Sequence, residues 1–202
     1  ALRRVSFFVI PSAAVYLVLG DVVVAAVFQT GAFGSVETLV TWGVLAAYAI
    51  GLPASASSRV LSSAFYALRD TKTPAKIAYI RIVVSIVIGL LLMIPLDDLG
   101  FVQLRLGAAG LALGASAGAW LEYVLLRRSL RVMIGAHGPG SSAVLRVMLA
   151  ATLAVGSGVL LQLRLPAAHP IVLGVAILIP AGLVYVATAA FLGENFFDRV
   201  RR

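Results

Sequence analysis

The chain has 202 residues, 61% of them hydrophobic and only 12% charged; that is about half the charged fraction of an ordinary soluble domain, and it excludes a water-soluble globule. Cysteine is absent, which removes disulfides and thiolate metal sites. The net charge of +8 would suggest nucleic acid in a soluble protein. In so apolar a chain its meaning lies in where the cations fall along the membrane normal, and no nucleic-acid partner is expected.

Six apolar segments run at roughly 5–27, 38–68, 75–96, 106–126, 142–163 and 170–192. Each reaches the ~20 residues a helix needs to cross a ~30 Å hydrocarbon core, so the expectation is an all-α integral membrane protein with six transmembrane helices. With the N-terminus inside, the inner side receives Arg3, Arg4, Arg69, Lys72, Lys76, Arg127, Arg128, Arg131, Arg146, Arg199, Arg201 and Arg202, and the outer side only Arg105 and Arg164. That bias predicts that both termini are cytoplasmic. A signal peptide cleaved after Ala25-Ala26 is the alternative for the first segment, but its removal would leave five spans and spoil the alternation of charge. The chain begins at Ala1 without an initiator Met, and a six-helix unit starting inside is expected to be the distal part of a larger protein.

In chain order, the first span carries Pro11, where a kink is expected rather than a break. Its far end is interrupted at Gly20-Asp21, and Asp21 to Phe28 reads as a separate short helix at the outer surface. The turn Phe28-Gln-Thr-Gly-Ala-Phe-Gly34 follows. The second span is longer than a crossing requires, and Gly51-Leu52-Pro53 predicts a bend near its middle. Beyond it Ser55, Arg59, Ser62 and Tyr66 recur at helical spacing, with Tyr48 seven residues before Ser55, forming one polar stripe.

The third span opens after Thr71-Lys72-Thr73-Pro74, with Thr73 expected as N-cap and Pro74 at the first helical position. The fourth has Gly110, Gly114 and Gly118 at i, i+4 spacing, a smooth face that lets another backbone come close. Gly156 and Gly158 lie in the fifth span and Pro180 in the sixth. Between these last spans and the first four, Gly135 to Ser142 is read as a cytoplasmic connector, dividing 1–132 from the final helix pair and tail at 133–202.

Enzyme signatures are missing: there is no Gly-x4-Gly-Lys, no His-Glu-x-x-His and no nucleophile elbow. His137 and His169 fall in loops on opposite predicted faces, so no shared metal site and no cofactor are expected. Arg59 lies ten residues before Arg69, about 15 Å along a helix, near mid-bilayer, where an Arg costs ~2.5–3.5 kcal/mol on insertion scales. Two readings stand open: Arg59 faces a hydrated, anion-handling cavity, or it forms a buried ion pair, with Glu122 the obvious partner. Arg81, about 10 Å beyond Pro74, is within reach of snorkelling to the inner headgroups. Glu122 lies one turn inside Arg127-Arg128, where a nearby cation would remove most of its cost, and Glu122 with Arg81 is a possible ion pair.

The run Phe65-Tyr66-Ala-Leu-Arg69-Asp70-Thr-Lys72-Thr73-Pro74, followed by Lys76, resembles the loop between the tenth and eleventh helices of MurJ (MviN) lipid II flippases. In the same order come Ile10-Pro11-Ser12-Ala13, Phe28-Gln29 with Gly31 and Phe33, Ala47-Tyr48 with Gly51-Leu52, and Gly110-Leu111-Ala112-Leu113. The resemblance covers essentially the whole chain, the last two spans mainly by hydrophobicity. It implies helices nine to fourteen of a fourteen-helix transporter of the multidrug/oligosaccharidyl-lipid/polysaccharide superfamily: most of the second lobe plus two additional C-terminal helices. Such a protein moves lipid-linked peptidoglycan precursor between leaflets of the bacterial plasma membrane by alternating access.

By the same likeness, Arg59 with Ser55, Ser62 and Tyr66 would face the central cavity, and residues 142–163 and 170–192 would line a groove for a polyprenyl tail. The partners implied are lipid II or a related polyprenyl-pyrophosphate glycan, membrane lipids, and an N-terminal lobe of the same polypeptide. The family's best-known cavity arginines lie on its first, second and eighth helices, which have no counterpart here. Some relatives bind sodium on helices matching the third and fourth spans; the third here offers Ser85 and Gly89 and no carboxylate. Alternatives are an exporter of another polyprenyl-linked glycan or of a drug, and a non-transporting scaffold in which Arg59 is locked to Glu122. A membrane-embedded transferase is disfavoured because no acid, base or metal cluster converges.

Overall fold

The computed structural model describes residues 2–31, 33–98, 106–135, 141–166 and 169–193. Arg105, His137, Arg199, Arg201 and Arg202, and with them part of the charge count and most of the Gly135 to Ser142 connector, lie outside the described residues. The described residues form seven helices: α1 (Leu2–Val18), α2 (Gly20–Phe28), α3 (Ser35–Ala67), α4 (Lys72–Asp98), α5 (Gly107–Ile134), α6 (Ser141–Arg164) and α7 (Pro170–Phe191). Five are long and apolar enough to cross a membrane, and α1 and α2 reach that length and apolarity only as a pair, bent by 80° at the break between them.

The break falls at Leu19 and has a local cause. Gly20 opens α2 without a side chain, and the indole of Trp42 on α3 fills the space: a Cβ at Gly20 would come within 2.4 Å of Trp42 Cδ1. Trp42 Nε1 donates to the Tyr16 carbonyl (3.2 Å) in the last turn of α1, where carbonyls lose their helical partners. Pro11 neither breaks nor ends α1. Its ring removes the N–H that would bond the carbonyl four residues back, which belongs to Phe7, and the hydroxyl of Tyr185 on α7 donates to that carbonyl instead. A Pro in a membrane helix is tolerated on this condition, that a neighbour satisfies the freed group.

Helix α3 runs unbroken through Pro53 for 33 residues, about 50 Å. Around its proline two α5 donors reach α3 carbonyls: Ser116 Oγ bonds Ala47 O (2.6 Å), and Trp120 Nε1 bonds Ile50 O (2.9 Å). At its other end α3 closes in a Schellman turn, with Arg69 N bonding Tyr66 O and Asp70 N bonding Phe65 O (both 3.0 Å). The left-handed residue is Arg69 (φ 60°), where glycine is usual.

The start of α4 corrects the expected cap. The helix begins at Lys72, and Asp70 Oδ1 accepts from the N–H groups of Lys72 (3.1 Å) and Thr73 (3.0 Å). Thr73 therefore sits inside the first turn. A carboxylate bonds two adjacent donors there, where one hydroxyl would satisfy fewer. Hydrogen bonds from Thr73 and Lys72, with the nearby Lys72 charge, hold the Asp70 carboxyl below its ordinary 3.8. Helix α5 also outruns its expected end, continuing as helix through Arg127, Arg128 and Arg131 to Ile134.

Packing divides the bundle into two groups that meet along α3. Helix α5 packs on both α3 and α4, while α4 barely touches α3. On the other side α6 and α7 pack together and against α1 and α2, which in turn contact α3. The α4–α5 seam is the closest. A Cβ at Gly114 would lie 2.4 Å from Gly89 N, and one at Gly110 2.7 Å from the backbone at Leu92 and Met93, so the smooth face meets another backbone directly.

Candidate functional site

Three arrangements bear on chemistry, and the first is the polar stripe of α3. The buried face of that helix, Ala47, Gly51, Ala54, Ser58, Leu61 and Phe65, is turned into the bundle. Gly51 touches Ser116, and Leu61 and Phe65 pack with Leu126 and Leu130 of α5. Tyr48, Ser55, Arg59, Ser62 and Tyr66 each follow a buried residue by one position, so helical periodicity puts them about 100° round from that face. Tyr48 (51%), Tyr66 (56%) and Arg59 are exposed, and Ser55 and Ser62 are half-buried. Arg59 makes no hydrogen bond or ion pair among the described residues. The stripe is thus an amphipathic edge with one unmatched positive charge about ten residues inside the α3–α4 turn.

The second arrangement is the intramembrane ion pair, and of the two arginines weighed for it the structure brings Arg81 to Glu122. Glu122 of α5 is bound by Arg81 of α4, Nη1 to Oε2 at 2.6 Å, and not by Arg59. The cause is the glycine seam. Gly110, Gly114, Gly118 and Glu122 share one α5 face at i, i+4 spacing, and Gly118 lies against Ser85 Oγ and the Arg81 carbonyl. The face that receives α4 at its glycines therefore also delivers Glu122 to α4. Arg81 and Ser85 with Gly89 form the matching stripe. Arg81 turns inward to Glu122 rather than toward the headgroups; its side chain is 36% exposed and that of Glu122 11%.

The third is a cleft of about 500 Å³ between α1, α6 and α7. Phe7, Phe8 and Pro11 line its α1 wall, Ala151, Ala154 and Val155 its α6 wall, and Leu178, Ala181, Gly182 and Val186 its α7 wall. Small residues on α6 and α7 leave it open, and the hydroxyl of Tyr185 on its edge is spent on the Phe7 carbonyl. Apolar lining with few polar groups is the character of a lipophilic site. The expected tail groove drew on α6 and α7 alone, whereas the cleft seen here has a third wall from α1. The signal for that wall was Pro11: a proline in a span leaves a carbonyl that some neighbour has to satisfy.

A smaller polar cleft of about 470 Å³ lies where α2 meets α6 and α7, lined by Asp21, Gln29 and Gln162 among apolar residues. Gln162 Nε2 donates to Asp21 Oδ2 (2.9 Å) and ties the short helix to α6. His169 stands at the N-terminus of α7, its Nδ1 accepting from Ile171 N (3.4 Å).

A family model described as "Lipid II flippase MurJ" matches residues 1–182. The chain is 36% identical over 129 residues to the lipid II flippase MurJ of Burkholderia cenocepacia, covering 63% of this chain and 23% of that protein. It is 33% identical over 110 residues to the probable lipid II flippase MurJ of Rickettsia prowazekii, covering 54% and 20%. A solved structure titled "Lipid II flippase MurJ, inward closed conformation" matches the whole of this chain and 38% of its own, with a TM-score of 0.71 at 23% identity, a likeness of fold. The chain spans about a fifth to a quarter of the length of these curated relatives.

Proposed function

The chain belongs to the lipid II flippase MurJ family, and from that membership we propose that it supplies most of the second lobe, and the closing helix pair, of a transporter. Its cargo is lipid-linked peptidoglycan precursor, moved from the inner to the outer leaflet of the bacterial plasma membrane by alternating access. The protein is a carrier and not a catalyst. Both termini are cytoplasmic, in keeping with the crowding of Arg and Lys at the ends that contain the α3–α4 turn and the end of α5.

The single observation that carries this reading is the α3 stripe. An arginine with no partner among the described residues, midway along a span, is costly against lipid; facing a hydrated cavity it becomes a binding group for an anionic headgroup. Ser55, Ser62 and Tyr66 extend that surface with hydroxyl donors. The cavity's other wall is formed by the N-terminal lobe of the same polypeptide. Glu122 is engaged by Arg81, which removes the main support for a scaffold in which Arg59 is locked in a pair. The apolar cleft between α1, α6 and α7 suits the polyprenyl chain.

Expressed at natural length and native level in flippase-depleted bacteria, the Arg59→Ala protein is expected to fail to restore growth, with undiminished amounts in the membrane. Wild-type growth would remove Arg59 from the mechanism. Accumulated lipid II in the depleted cells supports this cargo, and accumulation of a different polyprenyl-linked glycan would reassign it. The purified 202-residue chain in vesicles is expected not to flip lipid, since half of the cavity wall is missing.

A further inference from the structure

Four glycines lie within α6 and α7, and packing accounts for two of them. A Cβ at Gly158 would meet Leu19 Cδ1 at 2.5 Å, and one at Gly174 would meet Ala26 Cβ at 2.6 Å, so both let α1 and α2 approach. Gly156 and Gly182 have nothing within 4 Å of where a Cβ would stand. No neighbour requires either to be glycine, although glycine is the least favoured helix residue after proline. They differ in place. Gly182 lines the cleft between α1, α6 and α7, and Gly156 does not.

We propose that Gly182 sets the calibre of this cleft: its missing side chain keeps a strip of bare α7 backbone open for the hydrocarbon chain of the transported lipid. The inference rests on the reading that the cleft receives that chain. Ala181 and Tyr185, the α7 residues flanking this strip, are buried against other helices and hold the wall in place, so a side chain at 182 has only the cleft or its mouth to occupy. Across the gap stand Pro11 and Ser12 of α1. The Ser12 hydroxyl turns back to the Phe8 carbonyl (2.9 Å) and so presents little polarity to an incoming chain. An aromatic ring at 182 would take up space that an extended polyprenyl chain needs, whereas the same ring at 156 would not enter the cleft.

The test uses the protein at its natural length in vesicles, with a polyprenyl phosphate bearing a terminal benzophenone, photolysed and mapped by mass spectrometry. Wild-type protein is expected to be labelled on α1, α6 or α7, and labelling to be lost progressively through Gly182→Ala, Gly182→Leu and Gly182→Phe. Gly156→Phe controls for a bulky residue in a membrane helix and is expected to label as wild type. Unlabelled α1, α6 and α7 in the wild type would sink the reading that the cleft takes the chain. Labelled wild type with equally labelled Gly182→Phe, or equal loss in Gly156→Phe, would overturn the role of Gly182 alone. Displacement of the probe by excess phospholipid but not by unlabelled polyprenyl phosphate would assign the cleft to bulk lipid and also overturn it.

Discussion

Arg81 and Glu122 have unequal stakes in their ion pair. Glu122 is the deeper partner, so Arg81→Met strands a carboxylate among apolar neighbours. The full penalty for breaking a buried pair is ~3–5 kcal/mol; with Arg81 partly exposed, a loss of about 1–3 kcal/mol is expected in denaturant unfolding of the purified protein. The double variant Arg81→Met with Glu122→Gln is expected to recover much of it, and additive losses would show that the two charges are not coupled. At the α3–α4 turn the sign is set by the lowered Asp70 pKa. A group depressed in the folded state contributes above its unfolded value and loses that contribution as pH falls through the folded one. The Thr73 amide resonance is therefore expected to titrate with a midpoint below 3.8, and Asp70→Asn to abolish the transition. One residue earlier, Arg69→Gly relieves a left-handed non-glycine residue and is expected to stabilise by about 0.5–1 kcal/mol, read as a higher unfolding midpoint.

Between helices, the seams are made by what a residue lacks. Tyr185→Phe leaves the Phe7 carbonyl without its donor, an unsatisfied buried group that costs about 1–3 kcal/mol. Pro11→Ala in that background restores the N–H four residues on and is expected to return part of the stability, although alone it gains little. Gly114→Val would drive a branched side chain into the Gly89 backbone 2.4 Å away. Disulfide trapping between cysteines placed on facing turns of α4 and α5 is expected to fail in that variant and succeed in its parent. Much of this was legible in the sequence: the span positions, the short helix after Gly20, the smooth face of α5 and the stripe of α3 all follow from periodicity. Arg81 was named with Glu122 as a possible pair, but the choice between it and Arg59 stayed open because depth was weighed without azimuth. Arg59 and Arg81 lie at similar distances from the α3–α4 turn, but only Arg81 shares a line with Ser85 and Gly89. The cap at Asp70 was missed for another reason: Lys72 and Thr73 are ordinary first-turn residues, and Pro74 at the third helical position fits as readily as at the first.

Over the whole molecule, α4 is the most telling surface. Among the described residues it is held almost wholly by α5 and leaves Tyr79, Val83, Ile86, Leu90, Leu91 and Ile94 exposed along its length, while the α3 stripe faces outward too. Helices α1, α2, α6 and α7 by contrast satisfy one another through Tyr185–Phe7 and Gln162–Asp21. Leu149, Leu153, Ile179 and Leu183 nevertheless leave α6 and α7 with outward apolar faces too, and sequence does not separate such faces by what they meet, because a lipid-facing apolar helix and a protein-facing one read alike.

The bond from Tyr185 to Phe7 joins residues 178 positions apart, and it has a consequence for biogenesis. At 5–20 residues per second on the ribosome, about 10–35 s separate the synthesis of α1 from that of its donor on α7. During that interval the carbonyl at the proline of α1 lacks this donor, although α3 and then α6, which pack on α1, have already been made. The insertion machinery, or water at the bilayer surface, has to shelter it until the last span arrives.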